Sequence, residues 1–262
     1  MLEFLFDLPL LITGPAIILL LCAFAASGLL LVRCCVLPRL RIHSEDSHFA
    51  GAILHCVMIF YGLAVALIAV GVWETYTKTT EIVSQEATSV AGLYLDVSCY
   101  PEPTRSQLQN ELRNYVDQVI HAAWPLQRRG EIPAGGVELM NRFQAILASF
   151  EPATEGQKVL HSETFSAYNQ MIQARRLRLD AVGTGLPNLL WFVIVVGAVL
   201  SLTASFFFKI EDLRLHLIQV TLLAAFVGLV IFMIFALDRP FRGDLGVRPD
   251  AYQLVYDHLM KP

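Results

Sequence analysis

The sequence predicts an all-α integral membrane protein, with four transmembrane helices and a helical extramembrane domain between the second and third spans. Three observations carry that expectation. Of 262 residues, 55% are hydrophobic and the mean hydropathy is +0.56, well above an ordinary soluble chain. Uncharged apolar runs cover Leu8 to Val32, Ala50 to Val72, Leu189 to Phe208 and Leu215 to Leu237, each long enough to cross a hydrocarbon layer about 30 Å thick as a helix. The segment between the second and third runs is polar, with ten basic and 13 acidic residues from Glu74 to Leu186.

Composition also removes function classes. Nineteen Lys plus Arg against 23 Asp plus Glu give a formal charge of −4, so no basic excess is available to hold nucleic acid. Five cysteines, four of them in or beside apolar runs, do not make a secreted disulfide framework. The chain has no phosphate-cradling Gly loop, no His-Glu-x-x-His and no Gly-x-Ser-x-Gly elbow. Neither an enzyme nor a cofactor site is expected.

The first run contains Ala23-Phe24-Ala25, which has the small-x-small form of a signal-cleavage site. Glu3 and Asp7 precede it without any Lys or Arg, and its apolar length exceeds a signal core, so it is expected to stay as a span. Pro9 and Pro15 fall in its first turns, where a missing amide costs least. Trp73, Tyr76, Trp191, Lys209 and Arg214 mark span ends, and the short turn at 209–214 makes spans three and four an antiparallel hairpin. The expected organisation is residues 1–73 for spans one and two with a short basic linker, 74–186 for the helical domain, 187–237 for the hairpin and 238–262 for a tail. Arg33, Arg39 and Arg41 would put the short linkers inside and the long segment outside, whereas Arg175, Arg176, Arg178, Arg239 and Arg242 weigh the other way.

In the polar segment, Tyr76, Val83, Ala87, Val90 and Tyr94 recur at helical spacing, so the second span is expected to run on as one long amphipathic helix. Pro101-Glu102-Pro103-Thr104 starts a second helix with the stripe Leu108, Leu112, Tyr115, Val119, Ile120 and Ala123, which Pro125, Gly130 and Pro133 are expected to end. Leu139, Phe143, Ile146, Leu147 and Phe150 mark a third helix. A fourth begins near Thr154 and passes through Leu160, Phe165, Tyr168, Ile172 and Leu177.

Three groups of residues are candidates for function. Phe60, Leu63, Leu67 and Val70 form a stripe on the second span, backed by Gly62, Ala64, Ala66, Ala69 and Gly71. Around an axis shared by several copies the stripe would make an apolar neck, and ordinary helix packing would give the same pattern. Glu74, Arg175, Arg178, Asp238, Arg239 and Arg242 fall at the ends of spans two, three and four on one side of the membrane. They read either as a charged belt at the mouth of a pathway or as arginines paired with carboxylates at helix ends. His48, His55 and His216, with Cys34, Cys35, His43 and Cys56, gather on the opposite side, where zinc or copper would suit thiolate and imidazole. Packed cysteines and solvated histidines are the plainer account.

Longer motifs carry a resemblance. Trp73-Glu74, Ser84-Gln85-Glu86-Ala87, Tyr115-Val116, Trp124-Pro125, the Arg175 to Leu179 run, Leu186-Pro187-Asn188-Leu189-Leu190-Trp191 and the closing Leu237-Asp238-Arg239-Pro240-Phe241-Arg242-Gly243 together resemble the bestrophin-like family of bacterial four-span membrane proteins. The resemblance implies a homo-oligomer, pentameric by analogy with bestrophins, in the bacterial cytoplasmic (inner) membrane. It also implies an anion-conducting channel whose second span forms the neck and whose extended helices surround an aqueous vestibule, with the middle segment in the cytoplasm. No acidic calcium clasp is evident, so calcium gating is not implied. A non-conducting scaffold or sensor whose helical domain binds a partner is the alternative.

Overall fold

The computed structural model describes residues 9–38, 44–208, 210 and 212–261, with the side chains of 44–50 and 52–54 outside the description. Every element among the described residues is helical. The helices are α1 (Leu10–Leu31), α2 (Ser44–Ser98), α3 (Thr104–Gln118), α4 (Trp124–Gln127), α5 (Gly136–Ala148), α6 (Glu155–Val182), α7 (Asn188–Ser205), α8 (Leu213–Asp238) and α9 (Asp250–Val255). Four are long and apolar enough to cross a membrane, over Leu10–Val36, His55–Ser98, Asn188–Ser205 and Leu213–Asp238. The chain is a multi-pass membrane protein.

Local chemistry explains the helix ends. At α6, Thr154 Oγ1 accepts from the Gln157 amide at 3.2 Å while Gln157 Oε1 accepts from the Ala153 amide at 2.8 Å. Such reciprocal bonds satisfy amides that a first turn leaves open. At α3, the Glu102 carboxylate accepts from the Ser106 amide and hydroxyl at 3.3 and 2.6 Å. Pro125 does not end the second extramembrane helix as expected. A single π turn, Val119–Ala123, widens the ladder just before it, and helix resumes as Trp124–Gln127 with the proline in its first turn, where no amide is required. The expected long helix is present, since α2 runs 55 residues without a break.

Two compact units share the chain: residues 1–74 with 185–238, and residues 75–184 with 239–262. In the membrane unit α1 lies along α8, where a Cβ on Gly228 would stand 3.1 Å from Ile18 Cα. The absent side chain is what lets these two backbones approach. Tyr61 of α2 packs over Gly197 of α7 and donates to the Ile194 carbonyl at 2.9 Å. Gly62 and Gly71, expected to back the second-span stripe, serve no close approach among the described residues, because a Cβ on either would meet none of their atoms within 4 Å.

The helical unit closes a core of its own. Val83, Val90, Leu93 and Val97 of α2 meet Leu108, Leu112 and Tyr115 of α3, Phe143 and Leu147 of α5, and Met171 of α6. Residues after Asp238 finish this core: Phe241, Val247, Tyr252 and Met260 are all buried in it.

Candidate functional site

The stripe set apart on the second span lies bare in the single chain. Phe60, Leu63, Leu67 and Val70 are 72%, 56%, 66% and 54% exposed, whereas Val65 and Val72, which hold α2 to the other spans, are buried. At about 100° of rotation per residue, Leu67 points roughly 200° away from Val65, so bare and packed faces are opposite. Across the four spans, the buried share of the most apolar stretch falls from 39% in α8 to 11% in α2. The second span is therefore the one its own chain covers least.

The belt residues do not form one exposed set. Arg178 is only 1% exposed and lies inside the helical unit, where Nε donates to Glu86 Oε2 at 2.6 Å and Nη2 to Oε1 at 3.2 Å. Its guanidinium stands 5.9 Å from the Trp124 ring centre and 5.8 Å from that of Tyr252, and the Tyr115 hydroxyl donates to the same carboxylate. Burial opposes the Arg178 charge, yet the Tyr252, Glu86 and Tyr115 oxygens around it outweigh that and hold its pKa well above the ordinary arginine value. Burial first, and the Glu86 charge second, push the Tyr115 and Tyr252 phenols well above the ordinary tyrosine value. This makes Arg178 a tie among four segments of the fold and removes it from any mouth.

The other members have individual partners. Asp238, buried at the end of α8 in the membrane unit, accepts from the Leu186 amide at 2.5 Å and from Trp191 Nε1 at 3.2 Å. Arg239 reaches the Gly183 carbonyl at 3.4 Å, and Arg242 the Arg129 carbonyl at 2.6 Å. Arg175 is half-buried beside Gly136, while Glu74 is exposed.

Among the metal candidates, His216 is buried and shares a hydrogen bond between its Nε2 and the Ser205 carbonyl at 3.2 Å, and His55 is exposed. The side chain of His48, like residue His43, lies outside the described residues. Among the described residues no three His, Cys, Asp or Glu gather as metal ligands would.

Sequence reasoning passed over Glu86 as a functional partner, although its position held a signal. It sits three residues after Val83 and four before Val90, a carboxylate in the middle of a buried stripe. Arg178 interrupts the Met171, Ala174, Ala181 stripe in the same way. A lone acid and a lone base, each on an apolar face, point to one another, because a buried charge needs a partner.

Four membrane-crossing helices and a closed helical unit built on one of them define a multi-pass membrane protein with an extramembrane helical domain. A family model described as a bestrophin-like domain matches residues 19–252, and the chain belongs to that family. No curated protein and no solved structure matches it.

Proposed function

We propose that this chain is one subunit of a homo-oligomeric ion channel in a bacterial cytoplasmic membrane, pentameric by analogy with bestrophins, whose neck is lined by Phe60, Leu63, Leu67 and Val70. The observation that carries this is the bare face of the second span. It is apolar, turned away from its own unit, and bordered by Gly62 and Ala66 on one side and by Ala64 and Gly71 on the other. Large side chains in the middle and small ones at both edges suit parallel helices around an axis. The edges let neighbouring copies approach, while the centre narrows an aqueous path that wets and dewets. Kinship alone gives an anion as the permeant species. The neck itself carries no charge, so side chains beyond it set the sign.

Imaging in nanodiscs together with ion flux in liposomes tests this reading. A symmetric assembly with an axial opening is expected, and Phe60→Ala or Leu67→Ala should change its conductance. Currents unchanged in both variants would remove the neck assignment. A monomer, or an axis filled with side chains along its whole length, would leave the scaffold reading in its place.

A further inference from the structure

Within the helical unit, α2 buries one side and leaves the other bare. Val83, Ala87, Val90, Tyr94 and Val97 are buried. On the far side Thr77, Glu81, Ser84, Thr88 and Leu95 are exposed and Ala91 is half-buried. Successive members of this outer row lie alternately four and three residues apart. The row alone averages 3.6 residues per step, but counted on from Phe60, Leu63, Leu67, Val70 and Glu74 the same face repeats every 3.5 residues through to Leu95, the spacing at which parallel helices keep one face turned to a shared axis.

The composition of the row is unlike an ordinary solvated helix back, which carries charges freely. Its only ionisable side chain is Glu81, and the rest are small, hydroxyl-bearing or apolar. Lys78, the nearest cation in sequence, lies about 60° round the helix from Glu81, on the edge of the row away from Ser84. Of the four arginines that the sequence placed beside a pathway, Arg178 is drawn to Glu86, Arg239 to the Gly183 carbonyl and Arg242 to the Arg129 carbonyl, while Arg175 is half-buried beside Gly136. What the row presents is therefore carboxylate and hydroxyl oxygen.

We infer that the Thr77 to Leu95 face of α2 lines the axis of an assembly of copies of this chain, where the repeated Glu81 carboxylates admit cations and turn anions away. Each added copy adds one carboxylate at the same level, and a ring of like charge selects ions of the opposite sign. Ser84 and Thr88, one and two turns further along the helix, offer hydroxyl oxygens to a partly dehydrated cation. The inference rests on the channel reading and reverses the sign of the ion that kinship implies.

One reconstitution with two readouts tests it. Full-length protein with its five native cysteines replaced by serine carries either Thr88→Cys or, on the outer side of α6, Ser162→Cys, and is treated in liposomes with a bismaleimide. Covalent oligomers are expected from Thr88→Cys and not from Ser162→Cys; no ladder, or equal ladders, would overturn the placement at the axis. The reversal potential is then read under a potassium chloride gradient. It is expected near the potassium value, with Glu81→Gln lowering the potassium-to-chloride permeability ratio by about fivefold and Glu81→Lys favouring chloride. A wild-type reversal at the chloride value, or one that Glu81→Lys leaves in place, overturns the selection by Glu81. A Thr88→Cys ladder without current sinks the channel reading and ion selection but supports the axial placement. Potassium-selective current without a ladder does the reverse.

Discussion

The two units bury polar groups in different ways. In the helical unit a complete ion pair, Glu86 with Arg178, is enclosed by the Trp124 and Tyr252 rings, and the apolar residues around it are almost wholly buried within one chain. The membrane unit is held by a close backbone approach at Gly228, by the Tyr61 ring packed on Gly197 and by single hydrogen bonds such as Tyr61 to the Ile194 carbonyl, and it leaves α2 bare along one side. The extramembrane part thus completes its own core, whereas the spans leave a face that lipid or further copies must cover. Water drives apolar burial in one region but is absent from the other, where shape and small residues hold helices together.

Breaking the ion pair is expected to have the largest effect. Arg178→Met leaves Glu86 charged and unpaired, and should destabilise the helical unit by about 3–5 kcal/mol, whereas the double variant Arg178→Met with Glu86→Leu should recover much of that loss. Denaturant titration of the detergent-solubilised protein, followed by near-ultraviolet circular dichroism, reads both. A double variant no more stable than the single one would show that the pair does not act as a unit.

Crowding the membrane unit comes next. Gly197→Leu forces the Tyr61 ring aside and should cost about 1–3 kcal/mol, while Gly62→Leu, facing open space within the chain, should leave the fold of a single subunit intact. Thermal unfolding and size-exclusion profiles separate the outcomes. A loss of assembly with Gly62→Leu at unchanged subunit stability would sharpen the contrast, since it would place a neighbour against that side of α2.

Smaller differences are expected among the tyrosines around Arg178. Tyr115→Phe removes a donor to Glu86 and should cost about 1–3 kcal/mol. Tyr252→Phe deletes a hydroxyl less well placed than that of Tyr115 to bond Glu86, keeps the ring over Arg178 and should change stability less. Both phenols hold their protons more tightly folded than unfolded. Their contribution is thus fully present below the unfolded tyrosine value of about 10 and is lost as pH rises beyond it. Tyrosinate absorbance should therefore lag behind the exposed tyrosines and appear with alkaline unfolding; full ionisation before any loss of structure would contradict the burial of this cluster.

Much of this architecture was legible in the chain. Uncharged runs set the spans, the Val83, Ala87, Val90 stripe carried α2 beyond the apolar segment, and α6 starts at Thr154 as the sequence indicated. Hydrophobic period and end-cap chemistry are local, so a sequence displays them directly. The charged residues were harder to place, because proximity to a span end says nothing about which way a side chain turns. Arg178 looked like a neighbour of Glu74 and Asp238, but its partner lies on α2, 92 residues away along the chain. The last segment read as a tail because Phe241, Tyr252 and Met260 are spaced too widely for a repeating stripe. Only the folded helical unit shows that they fill places left in its core.

The position of Tyr252 also sets an order for biosynthesis. Each span has been made by Asp238, yet the ring that closes over Arg178 belongs to a residue translated later. During synthesis the Glu86 and Arg178 charges therefore wait with one side open, and the extramembrane core becomes whole only after the membrane-crossing segments have left the ribosome. A nascent chain stalled before Tyr252 is expected to leave that core open on the side its ring would cover.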